Sequence, residues 1–310
     1  MFAAPKVIET EIFAELPAEF RMSRRSAWAD AAWRGRQLDS FLEGPCFDSH
    51  GNLFLVDIPF GRVFSVSPNG RFSLVAEYDG QPNGLKICDD GRAFIADYKN
   101  GIVALDLKSG SVSLVVSRRN GERFKGVNDL CFAPNGDLYF TDQGQTGLQD
   151  SSGCVYRLSA NGRLDLILNN VPSPNGLVLD LDETTLFVAA TRANAVWRVP
   201  LTEQGTVTKV GVFVQLSGGV GPDGLAMDED GGLMVAHAGL GTVWHFDRLG
   251  QPLHRLRSAA GLFTTNLTFG GQDRRTLYIT ESEKGVVLKA ETPSVGVRLH
   301  RRSEIRATRT

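Results

Sequence analysis

Short alternations of apolar and polar residues recur along most of the chain, and each is broken by a turn rich in Gly, Asn or Pro. The stretch PNGLKICDDGRAFIAD around Asn83 contains an apolar segment, a turn that ends at Gly91 and a second apolar segment. Period-2 alternation and enrichment in Val, Ile, Phe and Tyr are typical of strands. The pattern therefore predicts β-hairpins, and no 3.6-residue helical periodicity competes with it.

The same layout occurs six times, and each unit begins at an equivalent polar position. These positions are Glu43, Asn83, Asn128, Asn175, Asp223 and Asn266, with spacings of 40, 45, 47, 48 and 43 residues. Each unit continues with a third strand, such as GRVFSVS at Gly61, and most have a weaker fourth strand. Four antiparallel strands at this period describe a propeller blade. The sequence predicts an all-β, six-bladed β-propeller whose blades cover residues 41–293.

The ends of the chain lie outside the repeats, and we expect all 310 residues to form a single domain. Residues 1–40 form an N-terminal segment in which Lys6–Leu16 supplies the outer strand of the last blade, with Val295–His300 as the alternative. Residues 21–40 contain Trp28 and Trp33 and are expected to form a short helical or irregular segment on the body. Residues 294–310 are basic, with five arginines from position 298 onward, and are expected to form a solvated tail.

Composition excludes several classes of function. A net charge of −2 gives no basic surface for nucleic acid. No apolar run reaches the ~18 residues of a membrane span, and the acidic N-terminus does not resemble a signal peptide. We therefore expect a cytoplasmic protein that contacts neither membrane nor nucleic acid; its oligomeric state is left open. The four cysteines show no metal-binding spacing.

The six equivalent positions carry the candidate chemistry. First strands line the central channel of a propeller, so these side chains converge, and all six present carboxylate or amide oxygen. Oxygen donors suit Ca²⁺ foremost, with Mg²⁺, Mn²⁺ and Fe²⁺ as alternatives; the lack of His and Cys disfavours Zn²⁺, which stays among the ions to test. Asn83 and Asn175 lie in Pro-Asn-Gly, a common turn sequence. Glu43, Asn128 and Asp223 are not in Asn-Gly turns, which favours one divalent cation.

These residues also carry a family likeness, which extends over roughly residues 40–292. Its motifs are Glu-Gly-Pro at 43–45, Val-Asp-Ile-Pro at 56–59, Val-Asn-Asp-Leu at 127–130, Pro-Asn-Gly-Leu at 174–177 and Pro-Asp-Gly-Leu at 222–225. The chain resembles the senescence-marker-protein/gluconolactonase family, relatives of calcium-dependent phosphotriesterase propellers. The resemblance implies a metal-dependent lactonase acting on a small lactone or ester. A phosphotriesterase-like hydrolase on the same metal and a non-catalytic binding propeller are the alternatives.

The resemblance also implies roles for individual residues. Glu43, Asn175 and Asp223 would bind the metal, with Asn128 as a fourth ligand or a substrate contact. Asp223 would act as general base with Asp129 beside it. Asn83 and Asn266 would line the channel and contact substrate. The sequence departs from the sugar-lactonase pattern at Phe-Lys-Gly before Val127, where that pattern has an arginine two residues ahead of Asn128.

Residues at the ends of the second strands form the next layer of the expected pocket. They are Asp57, Asp97, Asp142, His237 and Glu281. We expect most of them to accept hydrogen bonds from loop amides. His237, which replaces a carboxylate, is the candidate among them for a substrate contact, with a packed structural histidine as the alternative. The loops Ile58–Phe60, Tyr98–Asn100 and Gln143–Gln149 are expected to surround the opening.

Overall fold

The computed structural model describes residues 4–22, 24–202, 206–299 and 305. Two short strands come first in the chain, β1 (Lys6–Glu9) and β2 (Glu11–Glu15). The strands of blade 1 are β3 to β6: Leu42–Phe47, Leu53–Asp57, Arg62–Val66 and Phe72–Glu77. Those of blade 2 are β7 to β10: Pro82–Ile87, Arg92–Asp97, Gly101–Asp106 and Val112–Val116. A small hairpin follows, formed by β11 and β12: Arg118–Arg119 and Glu122–Arg123.

The remaining blades repeat this order. The strands of blade 3 are β13 to β16: Val127–Phe132, Leu138–Asp142, Gly153–Leu158 and Leu164–Val171. Those of blade 4 are β17 to β20: Pro174–Leu179, Thr185–Ala190, Ala195–Pro200 and Gly211–Gln215. Those of blade 5 are β21 to β24: Gly221–Met227, Leu233–Ala238, Thr242–Phe246 and Pro252–Arg257. Those of blade 6 are β25 to β27: Thr264–Gly270, Thr276–Glu281 and Val286–Glu291. The predicted all-β, six-bladed architecture is confirmed.

The blades form a closed ring. Each inner strand lies against the next, from β3 through β7, β13, β17 and β21 to β25, and β25 lies against β3. The N-terminal strands join the last two blades: β2 pairs antiparallel with β27, and β1 pairs parallel with β24. Blade 6 therefore takes its outer strand from the start of the chain. In the alternative segment, Gly296 makes an isolated bridge to Asp228, and His300 lies outside the described residues.

Apolar cores lie between neighbouring blades, because each sheet can bury its faces only against the next. Between blades 2 and 3, the rings of Phe94 and Phe132 meet edge to face at 5.3 Å, and Phe140 is fully buried beside them. Each such ring contributes on the order of 1.5–3 kcal/mol through burial. No helix in the part of the chain that the structure describes is long and apolar enough to cross a membrane.

The C-terminal segment differs from the solvated tail expected from its charge. Ile305 is only 3% exposed and packs into the core between blades 2 and 3. Arg92 Nη1 donates to the Ile305 carbonyl at 2.8 Å. Ile305 is apolar, and its transfer from water into this inter-blade core favours the buried position. The remaining residues of 300–310 lie outside the described ranges.

The segment before blade 1 contains the helix α1 (Ala27–Ala32). Ser26 caps it, since its Oγ accepts from the Ala29 amide at 3.2 Å. Trp28 packs on Phe41 with ring centroids 4.9 Å apart, and Trp33 contacts both Phe41 and Phe263. These contacts place the segment at the channel entrance, where it forms one wall of the candidate site.

Candidate active site in the central channel

The six equivalent polar residues lie near the start of the six inner strands. They are Glu43, Asn83, Asn128, Asn175, Asp223 and Asn266, hereafter the channel ring. Five are buried, and Asp223 is partly exposed. In every blade, the pairing between the inner strand and its neighbour shifts register at or beside the ring residue. Bulges of this kind change the direction in which a side chain points, and here they occur where the ring side chains point toward the channel.

Glycine follows the ring residue in four blades because the adjacent inner strand passes very close. A Cβ on Gly84 would overlap Asp129 Oδ1 and lie 2.7 Å from Asp129 Cα. A Cβ on Gly176 would overlap the Asp223 carbonyl oxygen in the same way. The Asn-Gly pairs at 83–84 and 175–176 lie inside strands, not in turns. Their glycines therefore serve the close packing that brings the ring residues together.

Acidic residues at the ends of second strands hold the start of the inner strands. Asp57 accepts from the Phe41 amide at 2.7 Å, and Asp142 accepts from the Gly126 amide at 2.8 Å. The other two such bonds join Asp97 to the Gln81 amide and Glu281 to the Phe263 amide, at 3.0 and 2.9 Å. Burial raises the pKa of all four acids. The prediction that most of this layer bonds loop amides is confirmed.

His237 does not reach the cavity, so the expectation that it contacts substrate does not fit its placement. The side chain is fully buried. Its Nε2 lies 2.9 Å from the Gly218 carbonyl oxygen, and its Nδ1 accepts from Trp244 Nε1 at 3.2 Å. Burial lowers the pKa of His237, which favours the neutral ring that these two bonds require. Both nitrogens are occupied, and His237 instead holds the loop before Asp223.

The Glu43 carboxylate is oriented by its neighbours. Its Oε2 accepts from the Gly44 amide at 2.8 Å and from Asn266 Nδ2 at 2.9 Å. Asn266 Oδ1 accepts from the Leu267 amide at 2.8 Å, so both ends of this amide are engaged. Asn266 is absent from the cavity lining and lies behind Glu43. Its predicted contact with substrate is replaced by a contact that positions a carboxylate.

Asp129 also lies behind the ring. Its Oδ1 accepts from the Leu130 amide at 2.8 Å, and its Oδ2 is 3.5 Å from Asn266 Nδ2. Lys86 Nζ lies 3.8 Å from Asp129 Oδ1. The Lys86 ammonium is thus the counter-charge of Asp129 in the channel, below the cavity.

On the opposite side of the ring, amide groups are oriented toward the cavity. Asn128 Nδ2 donates to Gln143 Oε1 at 2.8 Å, and Gln143 Nε2 donates to Ser173 Oγ at 3.0 Å. Asn128 Oδ1 therefore has no donor among the described residues. The Asn83 side chain likewise makes no hydrogen bond within the described ranges, and it lines the cavity. These groups are available to a ligand.

Like charges confront one another in this site. Burial raises the pKa of Glu43 to about 7, against hydrogen bonds from Thr265, Gly44 and Asn266, and the Asp129 charge adds to the rise. Burial, followed by the charges of Glu43 and Asp129, raises the pKa of Asp223 well above its ordinary value. A cation among these oxygens would relieve the repulsion. Within the described chain, no three His, Cys, Asp or Glu side chains group as metal ligands, so a cation here depends on amide oxygens.

A cavity of about 270 Å³ opens above the ring. Glu43, Asn83, Asn128, Asn175 and Asp223 lie at its base. The apolar wall is formed by Trp28, Trp33, Phe41, Ile58 and Phe263. The polar wall is formed by Gln143, Gln145, Ser173, Thr191 and Arg192. The three loops expected at the opening supply Ile58, Tyr98, Gln143 and Gln145, whereas nothing in the repeat pattern indicated Arg192 or Phe263.

Comparisons with known proteins identify the family. The profile of the SMP-30/Gluconolactonase/LRE-like region matches residues 41–283. The chain belongs to this family. It is 31% identical over 283 residues to a gluconolactonase of Zymomonas mobilis, covering 81% of this chain and 78% of that one. It is 32% identical over 241 residues to lactonase drp35 of Staphylococcus saprophyticus, covering 74% and 72% of the two chains.

Solved structures of the SMP-30/gluconolactonase type share the fold. A calcium-binding protein, regucalcin, from Agrobacterium tumefaciens superposes with a TM-score of 0.77 at 23% identity, covering 96% of this chain and 98% of that one. A gluconolactonase from Xanthomonas campestris superposes with a TM-score of 0.73 at 23% identity, covering 94% and 99%. The six-bladed architecture is thus common to these proteins.

Proposed function

We propose that this protein is a divalent-cation-dependent lactonase that opens the cyclic ester of a small lactone at the channel ring. The observation that carries the proposal is the convergence of the Glu43 and Asp223 carboxylates with three amides at the base of one small cavity. The gluconolactonase and lactonase relatives within the family support the reaction. A volume near 270 Å³ is at the small end of ligand cavities and favours a small molecule.

The charges of the channel match a divalent cation. Glu43, Asp129 and Asp223 bring three carboxylates close together, the Asp129 charge helps to raise the pKa of both Glu43 and Asp223, and Lys86 brings one ammonium. When all three carboxylates are ionised, the Lys86 ammonium leaves two negative charges, of which the Asp223 charge is partly offset by the exposed Arg192. Two carboxylates together with neutral amide oxygens form a donor set that suits Ca²⁺ foremost.

The residues that would hold the ion are Glu43, Asn128, Asn175 and Asp223. Glu43 is fixed by Asn266, and Asn128 turns its free Oδ1 to the cavity because Gln143 holds its Nδ2. Asn175 hydrogen-bonds to Asp223. When bound, the cation would polarise the ester carbonyl and stabilise negative charge on its oxygen.

The chain's own groups would then bind the substrate and move protons. Asn83, with no partner of its own among the described residues, would hydrogen-bond the lactone. The Asp223 carboxylate would accept a proton from the water that adds to the carbonyl carbon. The ring C–O bond then breaks, and the same proton goes to the departing ring oxygen, which gives a hydroxy acid. Asp129 and Asn266 act through Glu43 and Lys86 and are positioning residues.

The test is proton release from a panel of sugar, aliphatic and aromatic lactones. Chelated protein would be compared with protein refilled with Ca²⁺, Mg²⁺, Mn²⁺, Fe²⁺ or Zn²⁺. Asp223→Asn should abolish cation-restored turnover, whereas Asp230→Asn, an exposed acid of the same blade, should leave it unchanged. If no cation restores hydrolysis of any lactone, the proposed reaction is wrong. If chelated protein is fully active, the proposed cation dependence is wrong.

A further inference from the structure

The two walls of the cavity differ in chemistry. On the apolar side, Trp33 contacts Phe263 and Phe41 with ring centroids 4.9 and 5.4 Å apart, so the wall is a continuous aromatic surface. On the other side, the loop residues are amides, hydroxyls and Arg192. A ligand that fills the cavity therefore meets apolar carbon on one side and hydrogen-bond donors on the other.

Arg192 is the only cation among the described residues that line the cavity. Its side chain is exposed and makes no hydrogen bond, ion pair or ring contact with the residues the structure describes. Arginines of the N-terminal segment behave differently: Arg36 pairs with Glu283, and Arg25 pairs with Asp30. Other exposed arginines, such as Arg198 and Arg248, also lack a partner among the described residues, so Arg192 is distinguished by its place in the cavity lining, where its charge acts on Asp223.

The backbone holds Arg192 at the mouth of the cavity. It lies in a 3-10 turn, Thr191–Ala193, which ends at Asn194 with a φ of 52°. Thr191 Oγ1 donates to the Pro222 carbonyl at 2.7 Å, which ties the turn to the strand that carries Asp223. The turn is therefore fixed relative to the channel ring, although the side chain is free.

On the polar wall, the neighbouring Gln143 and Gln145 side chains already have hydrogen-bond partners, whereas the Arg192 guanidinium has none among the described residues. Gln143 bonds to both Asn128 and Ser173, and Gln145 Nε2 donates to Tyr98 Oη at 2.8 Å. A second cleft adjoins the cavity and shares Gln143, Gln145 and Arg192 with it. The guanidinium thus stands where a substituent of a bound molecule would leave the cavity.

We propose that Arg192 binds a carboxylate carried by the substrate, while an apolar or aromatic part of the same molecule lies on the Trp33–Phe263 wall. The guanidinium offers paired N–H groups that match a carboxylate, and a charge-assisted bond of this kind is strong where water is partly excluded. This inference rests on the proposed lactonase function and adds the substrate class, a small lactone with an anionic arm and an apolar body.

The experiment uses the metal-loaded enzyme and two matched aryl lactones, one with a carboxylate substituent and one with the carboxamide at the same atom. The wild type should show the lower KM for the carboxylate. Arg192→Gln should raise that KM about tenfold or more with a much smaller change in kcat, and Arg192→Lys should recover part of the loss. The carboxamide KM should stay within about twofold.

A control and a second variant separate charge from packing. Arg198→Gln removes an exposed arginine from the same blade and should leave both KM values unchanged. Trp33→Leu should raise KM for aryl lactones of either kind relative to alkyl lactones. Equal KM for carboxylate and carboxamide in the wild type, or equal losses for both in Arg192→Gln, would overturn the role of Arg192.

A binding measurement keeps this inference distinct from the proposed reaction. Calorimetric titration with the ring-opened products of the two matched lactones, one with the carboxylate substituent and one with the carboxamide at the same atom, requires no turnover. Tighter binding of the product with the substituent acid that is lost in Arg192→Gln supports the anion subsite even if no lactone is hydrolysed. Hydrolysis of neutral lactones alone, with no preference for the acid in binding, would leave the reaction standing and refute the subsite.

Discussion

The close approach of the inner strands makes Gly176→Ala a sharp test of how the channel ring is built. Gly176 has an ordinary backbone conformation, so an added methyl group changes only its contacts. Its Cβ would overlap the Asp223 carbonyl oxygen and lie 2.7 Å from Gly224 Cα and 2.9 Å from the Leu225 amide nitrogen. All three atoms belong to the backbone of β21, so no side chain can move aside. The strand that carries Asp223 must shift.

Overpacking of this kind costs about 1–3 kcal/mol. Gly211→Ala is the matched control, because nothing lies within 4 Å of its added Cβ and its backbone conformation is also ordinary. That change should stabilise the protein by about 0.4–1 kcal/mol, since it restricts the unfolded chain. Both variants add one methyl group, but only at Gly176 does a neighbouring strand lie in contact with it.

Thermal unfolding gives the first readout. An unfolding entropy of about 2.1 cal/mol/K per residue means that 1 kcal/mol shifts Tm by roughly 1.5 °C in a chain of this length. Gly176→Ala should lower Tm by about 2–5 °C, and Gly211→Ala should raise it by about 1 °C. Calorimetric titration with Ca²⁺ gives the second: affinity should fall about tenfold or more in Gly176→Ala only. If the two variants behaved alike in both measurements, the close-packing argument would be refuted.

Three further variants test the buried charges. Arg62→Met leaves the Asp57 carboxylate buried without its ion-pair partner and should lower the free energy of unfolding by about 3–5 kcal/mol. Adding Asp57→Leu should recover only part of this loss, because the Phe41 amide then loses its acceptor. A double variant no more stable than the single one would contradict the ion-pair argument. Lys86→Met removes the counter-charge of Asp129, so the metal-free protein should lose about 1–3 kcal/mol of stability while Ca²⁺ binds up to about tenfold more tightly. Weaker Ca²⁺ binding in Lys86→Met would count against the charge balance proposed for the channel.

The fold can be predicted because each repeat has its own local sequence pattern of strands and turns. Each blade carries its own alternating strands and turn glycines, such as Gly91 and Gly136, which have φ of +85° in the structure. The equivalent register of the six units also predicts that Glu43 and Asp223 lie on one ring. Local pattern alone sufficed because neighbouring blades repeat the same contacts.

Contacts between distant segments could not be read in this way. The position of Trp33 against Phe263 depends on how a non-repeating segment folds back on blade 6, and no periodicity encodes it. Ile305 is isolated among polar residues, yet it fills the end of an inter-blade core. His237 shares a strand position with acids that face the channel loops, but its bonds to Gly218 and Trp244 turn it away from the cavity.

The equivalent sequence positions of the ring residues also do not predict which of them face the cavity. Asn266 and Asn128 occupy the same position in their blades. The Asn266 amide donates to Glu43, whereas the Asn128 amide donates to Gln143, which leaves the Asn128 oxygen facing the cavity. Blade 6 therefore supports the ring from behind, and blades 2 to 4 present free groups to a ligand. The segment that carries Trp28 and Trp33 covers the cavity on the side of blades 6 and 1, and Arg192 lies on the opposite, polar side. A symmetric repeat thus becomes a directional site through the neighbours of each ring residue, which lie outside the repeated pattern.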